Sequence, residues 1–544
     1  MMTIKKSVAY CAIATTLLVG CGSPAILLTP EENIDATPLK VTELTDSQLK
    51  HWGHDDLLSD TIPGMSVDKA YTEIFNKIKE LTPTTVIVGV LDSGVDIEHP
   101  DLKNVIWTNE DEIAGNGIDD DKNGFVDDIH GWNFLGEANN EQLEFVRILA
   151  KGDDGSETYK KAAAEYEEKY QEAVQNKTRY EQILNSVTQA DEMLQKELGK
   201  ETYTKEDLAT IKSEDPKVQQ AVAAMTQMFT FGEDVPALKK DLKDGIEYFT
   251  DQLNYNLNKD FDGRSIVGDN PDDLTDIGYG NNDVIGDKDH AKHGTHVSGI
   301  IAAERNNNVG MDGVADHVKI MAVRTVPNGD EYDKDVALAI RYAVDNGAKV
   351  INGSFGKYYS PHKEWVWDAI KYAASKDVLI IKAAGNESLD LDENNVYPND
   401  NENNTAEIAD NFLTVGALNY TYGPEMVATF SNFGKDNVDV FAPGTKIWST
   451  TPNNGYEFLQ GTSMAAPAVA GVAALIRAYY PKLKAEEVKQ IIMQSGLTST
   501  TNVILGGNPN YKKPFTEASK SGKMVNLYNA MILADKVANG KAKL

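Results

Sequence analysis

Residues 85 to 91 read Thr-Val-Ile-Val-Gly-Val-Leu, an almost unbroken apolar, β-branched run that stops at Asp92-Ser93-Gly94. A strand with one wet face alternates apolar and polar residues. A continuous run of this length instead asks for burial on both faces, the condition of an interior strand in a parallel sheet. Similar runs recur at Val350-Ile351-Asn352, from Val378 to Ile381 and at Leu413-Thr414-Val415-Gly416, with helical stretches from Asp335 to Asn346 and Glu364 to Ser375. Strand alternating with helix predicts an α/β fold built on a doubly wound, mostly parallel sheet. Ligands of such sheets gather outside the carboxyl ends of the strands, which is where Asp92 falls.

From about Asn139 to Asn258 the pattern breaks. The segment is rich in Lys, Glu, Gln and Ala, and Tyr166, Tyr170, Val174, Ile183, Val187, Leu194 and Leu198 recur at roughly helical spacing. Thr204-Lys205-Glu206-Asp207 offers a further helix start, and the pattern resumes from Leu238 to Leu257. The stripe predicts an inserted all-helical subdomain over residues 139–258, dividing a catalytic domain into parts at 60–138 and 259–544. A disordered acidic linker would not carry so regular an aromatic stripe.

The chain holds 84 acidic against 52 basic residues, a formal net charge of -32. That balance excludes a nucleic-acid role, which needs a cationic face. Its two cysteines are Cys11 and Cys21. Lys5-Lys6 followed by a mostly apolar stretch from Ser7 to Gly20 has the form of a secretory signal over residues 1–20, too short for a stable membrane span. Leu18-Val19-Gly20-Cys21 resembles a bacterial lipobox. That resemblance implies cleavage before Cys21, lipid on its thiol, and an acidic tether over 21–59. The expected location is the bacterial cell envelope, at the outer membrane, after export across the inner one. No cysteine would remain in the mature chain for an intramolecular disulfide.

Three segments carry the chemistry. They are Val88-Gly89-Val90-Leu91-Asp92-Ser93-Gly94, His293-Gly294-Thr295-His296-Val297-Ser298-Gly299 and Gly461-Thr462-Ser463-Met464-Ala465-Ala466-Pro467. A serine hydroxyl is a poor nucleophile until a base takes its proton, and imidazole is the side chain tuned for that near neutral pH. A buried carboxylate fixes the imidazole tautomer and stabilises the cation that forms. Ser463 opens an apolar small-residue helix, whose amino end directs N–H groups at a developing oxyanion. His290, His293 and His296 fall at three-residue intervals, without the His-Glu-x-x-His arrangement of a zinc hydrolase, so His296 reads as a structural histidine.

Asp, then His, then Ser is the chain order of subtilisin. Together these motifs resemble the subtilase family over about residues 61–108 and 286–534, including a closing segment at Met524-Val525-Asn526. The resemblance implies a serine endopeptidase acting on polypeptide substrates, expected as a monomer, with Asp92, His293 and Ser463 as a triad. Lys382-Ala383-Ala384-Gly385-Asn386 is similar to the family's oxyanion segment, which assigns Asn386 as a donor and Ala384 and Gly385 to substrate binding. Ser354, Phe355 and Gly356 match the stretch that pairs with substrate and walls its specificity pocket, whose floor is expected between Asn394 and Pro398.

Two calcium sites are expected, both structural and neither needed for catalysis. In the acidic loop from Asp119 to Asp128, Asp119, Asp121 and Asn123 stand at alternate positions. Gly124 follows at the sixth place, the Phe125 carbonyl at the seventh and Asp127 at the ninth, as in an EF-hand-type loop. The twelfth position is His130, not Glu. The family likeness implies a second site from Asp101 and Asn307. A third acidic turn, Gly268 to Asp273, has no assigned role.

The chain departs from compact relatives in two ways. Asp92 and His293 lie 201 residues apart, so the insertion emerges between two triad elements, as a lid, a docking surface for a protein partner, or a stabilising appendage away from the cleft. Ile62-Pro63-Gly64-Met65-Ser66 already resembles the start of the catalytic domain, leaving too little sequence after Cys21 for the usual folding pro-domain. Control of activity is therefore expected elsewhere, with the insertion a candidate.

Overall fold

The computed structural model describes residues 28–544 except 33, 39, 41, 79, 80, 233, 403 and 404. The signal segment and Cys21 lie outside the described residues. Seven strands form one parallel sheet: β1 (Val86–Asp92), β2 (Gly131–Asn133), β3 (Val318–Arg324), β4 (Val350–Gly353), β5 (Leu379–Ala383), β6 (Phe412–Leu418) and β7 (Val440–Pro443). Their order is β2-β3-β1-β4-β5-β6-β7, with every pairing parallel. From β1 the chain crosses to the edge strand β2, returns inward to β3 beside β1, and then crosses to β4 and runs outward to β7, so the connections change side at β1, at the crevice favoured for ligands.

The double-sided burial expected of β1 is present. Val86, Val88 and Val90 enter a core on one face, while Leu91, joined by partly buried Ile87, enters a second core on the other. The first core holds the helix Lys292–Ala302, which carries His293, and the helix Thr462–Tyr479, which carries Ser463. The second is covered by helices Asp333–Asp345 and Lys363–Ser375. Each large apolar side chain so buried contributes about 1.5–3 kcal/mol, which makes this two-sided sheet a rigid base for the residues at its carboxyl edge.

Strand β3 was hidden in the sequence because Lys319 and Arg324 interrupt its apolar run. Lys319 reaches out to the Asn104 carbonyl. Arg324 is 1% exposed, and its guanidinium is absorbed by the carbonyls of Ser93, Gly136 and Ala138 and the side chains of Asn133 and Asn139. Strands β2 and β7 are too short to leave a periodic signal.

Two expectations need correction. Residues 28–59 do not form a loose tether. Ile34, Trp52 and Leu57 are buried, the Trp52 indole donates to the Thr445 carbonyl, and Asp35 accepts from Ser499 and Thr500. These anchors are aperiodic, each fixed by a distant partner. Within 139–258 the segment is helical, dominated by the 42-residue helix Glu157–Leu198 with Ser156 as its amino-terminal cap. Val174 faces solvent, and Ala173 takes the buried position on that turn. Val187, Leu194, Met225 and Leu242 form a core with helices Pro216–Met228 and Val235–Asp251, and Tyr166, Tyr170, Phe145 and Tyr359 join the base of the long helix to the catalytic domain.

Candidate active site

Asp92 closes β1 and is 1% exposed. One carboxylate oxygen accepts the Ser93 amide at 2.8 Å and meets His293 Nδ1 at 2.7 Å. The approach requires glycine at 294: a side chain there would collide with the Gly94 carbonyl and press on Asp92. Gly299 likewise lets the hairpin strand Ile447–Thr451 cross the helix, where Ser449 and Thr450 hydroxyls donate to the His296 and Thr295 carbonyls. Burial pulls the His293 imidazole toward its neutral form, but the Asp92 charge and hydrogen bond outweigh it. Its pKa therefore lies above the ordinary value.

Ser463 is the second residue of its helix, in the first turn, where backbone N–H groups lack helical partners. Its hydroxyl donates to the Ser354 carbonyl at 3.1 Å, and the Ser354 hydroxyl returns a bond to the Ser463 carbonyl at 2.9 Å. The hydroxyl is thus engaged with Ser354 in this arrangement. Both residues line one cleft of about 730 Å³.

Asn386 stands exposed at the same cleft. Its side-chain oxygen accepts the Thr462 amide at 2.8 Å and hydroxyl at 3.1 Å, which leaves the Nδ2 N–H groups for the cleft. Thr462 also accepts the Gly385 amide, and Asn432 fixes the loop by donating to the Ala384 carbonyl and accepting from the Glu387 and Leu389 amides. Sequence reasoning passed over Thr462 and Asn432, since nothing in either residue type marks a positioning role. Replacing Asn386 by alanine is expected to lower kcat by about 10²–10³-fold with little change in KM, the signature of a donor that binds the transition state. Steady-state kinetics on a peptide substrate checks it.

Of the expected substrate residues, Ser354, Phe355, Gly356 and Gly385 line the cleft, together with Val396 from the expected floor. Ala384 does not. Its amide donates to the Val415 carbonyl, its own carbonyl is taken by Asn432, and its methyl lies in the core. Ala383, the last residue of β5, lines the cleft instead. The insertion also reaches this cleft: Tyr248, 58% exposed on helix Val235–Asp251, stands with His290 and Lys292 along it.

His296 is structural, as expected. Its Nε2 sits 3.1 Å from both the Ile447 and Glu457 carbonyls, tying the hairpin to the helix, and burial holds its pKa down at about 3.

In the acidic loop, carboxylate oxygens of Asp119, Asp121 and Glu112 gather within 4.8 Å of one another. This donor set suits a hard divalent cation, with Glu112 reaching it from upstream of the loop while its two oxygens accept the Asp120, Asp121 and Asp127 amides. Asn123 lies against Asp121 and Asp128, while the Phe125 ring packs on Trp132 and Tyr342. Asp127 turns away to cap the Asn116 and Gly117 amides and is not part of the cluster. At the expected second site, Asn307 Nδ2, the Met311 amide and the Tyr456 hydroxyl donate to the two oxygens of Asp101, which brings Asp101 and Asn307 together. His51, His54 and Asp68 form another cluster with ligand-type atoms, with Arg305 3.5 Å from Asp68.

A family model described as the subtilase family matches residues 84–512. The chain belongs to the subtilase family. This subtilase is 40% identical over 220 residues to the thermophilic serine proteinase of Bacillus sp. (strain AK1), covering 40% of the chain and 48% of that relative. It is 39% identical over 240 residues to the cell wall-associated protease of Bacillus subtilis (strain 168), covering 43% and 24%. Against subtilisin DY of Bacillus licheniformis it is 35% identical over 199 residues, covering 36% and 67%. The subtilase thus spans less than half the length of the first two curated relatives it matches.

Proposed function

We propose that this subtilase is a serine endopeptidase working through an acyl-enzyme on Ser463. The observation that carries the reading is the Asp92–His293 pair, at 2.7 Å, opening into the cleft that also holds Ser463 and Asn386. His293 Nε2 takes the Ser463 proton as Oγ attacks the carbonyl carbon of a peptide. Asp92 holds the proton on Nδ1 and stabilises the imidazolium. Asn386 Nδ2 and the Ser463 amide hold the oxyanion, and His293 then gives its proton to the leaving amine. Water attacks the acyl-enzyme by the same steps in reverse. Incubating the protein with a quenched-fluorescence peptide library tests this: internal cleavage is expected, and a complete lack of turnover by folded protein contradicts it.

Calcium is proposed as a structural ion held by Glu112, Asp119, Asp121, Asn123 and the Phe125 carbonyl. A ligand at 100 times its Kd stabilises by about 2.7 kcal/mol. Chelation is therefore expected to lower Tm by about 2–4 °C, and Glu112→Gln to shrink that shift, as read by differential scanning calorimetry with and without added calcium.

The lipidation of Cys21, export to the bacterial envelope with an outer-membrane anchor, and a monomeric state remain part of the proposed reading. Tyr248 at the cleft supports the insertion as a surface that meets polypeptide, whether substrate or protein partner.

A further inference from the structure

We propose that Lys382 places an unpaired ammonium in the wall of the primary specificity pocket and selects substrates with an acidic residue, Glu or Asp, on the acyl side of the cleaved bond. The proposal rests on the peptidase reading of the cleft and names the substrate class for it.

Lys382 is the penultimate residue of β5, one position before Ala383. It is 2% exposed, yet it lines the cleft with Phe355, Gly356 and Val396. A methyl group built on Gly356 would lie 3.4 Å from Lys382 Nζ and 3.2 Å from Val396 Cγ1. The ammonium therefore borders the same space as the pocket wall.

Four lysines in the described residues are at most 2% exposed: Lys334, Lys357, Lys382 and Lys489. Three are ion-paired. Lys334 meets Asp269 at 2.6 Å, Lys357 meets Glu144 at 2.8 Å and Asp333 at 2.9 Å, and Lys489 meets Glu407 at 2.7 Å. Among the described residues Lys382 Nζ forms neither an ion pair nor a hydrogen bond. An unpaired buried charge is costly unless a partner arrives, so the fold conforms to its own rule at three sites and leaves the fourth, at the cleft, open to a ligand.

Two carboxylates act on Lys382 through their charge, Glu387 and Glu331. Glu387 also lines the cleft, where one of its oxygens accepts the Asn386 amide at 2.8 Å and Asn432 Nδ2 at 3.0 Å, and it forms no ion pair with Lys382. Glu331 is 2% exposed, and burial raises its pKa to about 7, which weakens it as a counter-ion. Burial lowers the Lys382 ammonium to about 8, against the pull of both carboxylates, so it still carries charge at neutral pH. A substrate carboxylate entering the pocket would supply the missing partner as a charge-assisted hydrogen bond.

The test is kcat/KM at pH 7 on four peptides that differ only at the residue before the cleaved bond: Glu, Gln, Leu and Lys. Glu and Gln share a shape, so their ratio isolates the charge. Wild type is expected to favour Glu over Gln by at least about tenfold, and both Lys382→Met and Lys382→Gln to bring that ratio to one or below. A wild-type preference for Gln, Leu or Lys overturns the proposal, with no variant needed. So does a Glu preference that survives in a folded Lys382 variant. Fluorophosphonate labelling of wild-type Ser463 separates the two levels: labelling without a Glu preference defeats only the Lys382 proposal, whereas absence of labelling defeats the peptidase reading beneath it.

Discussion

Ser463→Ala is expected to lower kcat by about six orders of magnitude, the loss known for the corresponding serine of subtilisin. Stability should change little. The hydroxyl makes one hydrogen bond, to the Ser354 carbonyl, and Ser354 keeps its own bond to the Ser463 backbone. The loss of one such bond costs about 1 kcal/mol, which thermal melting will resolve from global unfolding. What remains should be a weak reaction sustained by Asn386, the helix amides and substrate binding, about 10³–10⁴-fold above water. His293→Ala should cost about as much, and the double variant hardly more, because the two side chains make one nucleophile. Single-turnover kinetics with an ester and an amide substrate reads both effects. Near-native turnover in Ser463→Ala would place the nucleophile elsewhere.

Asp92→Asn is expected to reduce kcat by about 10⁴-fold at neutral pH, about 5 kcal/mol of transition-state stabilisation. Asp92 accepts from His293 Nδ1 and from the Ser93 amide through one oxygen, and its other oxygen is buried without a hydrogen-bond partner. An amide that turns its NH2 toward Nδ1 forces the proton to Nε2, the atom that must receive the serine proton. The pH profile gives an independent sign. Burial favours neutral His293, and the Asp92 charge and hydrogen bond raise its pKa above the ordinary value. The stability from that pairing is thus fully present below the unfolded histidine pKa and is lost as pH rises through the folded one. Activity runs the other way, since neutral His293 is the base. Removing the Asp92 charge should therefore move the acidic limb of kcat/KM to lower pH. A limb unmoved in Asp92→Asn would separate it from His293.

The sequence was most legible where chemistry and periodicity coincide. The run ending at Asp92 disclosed both an interior strand and a catalytic candidate, because burial on two faces leaves an unbroken apolar stretch. His293, Ser463 and Asn386 were likewise readable from motifs whose small residues the close packing demands, as Gly294 does against Gly94 and Asp92. What escaped depends on contacts distant in sequence. Residues 28–59 look like a polar tether because Ile34, Trp52 and Leu57 have no common period, though each finds a place in the fold. Strand β3 hid behind Arg324, whose charge is satisfied by five groups brought together only on folding. Asp127 sits in a plausible cation loop yet turns to cap the Asn116 and Gly117 amides, while Glu112 reaches the Asp119–Asp121 cluster from outside the motif. Ala384 follows the last residue of β5 and is drawn into the core, while Ala383 before it lines the cleft, a one-residue difference that the motif does not mark.

The central claim is that Ser463 is a nucleophile activated by His293 and Asp92. The most direct measurement is the site of covalent labelling by a fluorophosphonate at pH 7, mapped by tandem mass spectrometry of the digested wild-type protein. The account predicts one adduct, on Ser463, formed far more slowly in His293→Ala. Folded wild-type protein that hydrolyses peptides while carrying no adduct on Ser463, or carrying it on another residue, would contradict it.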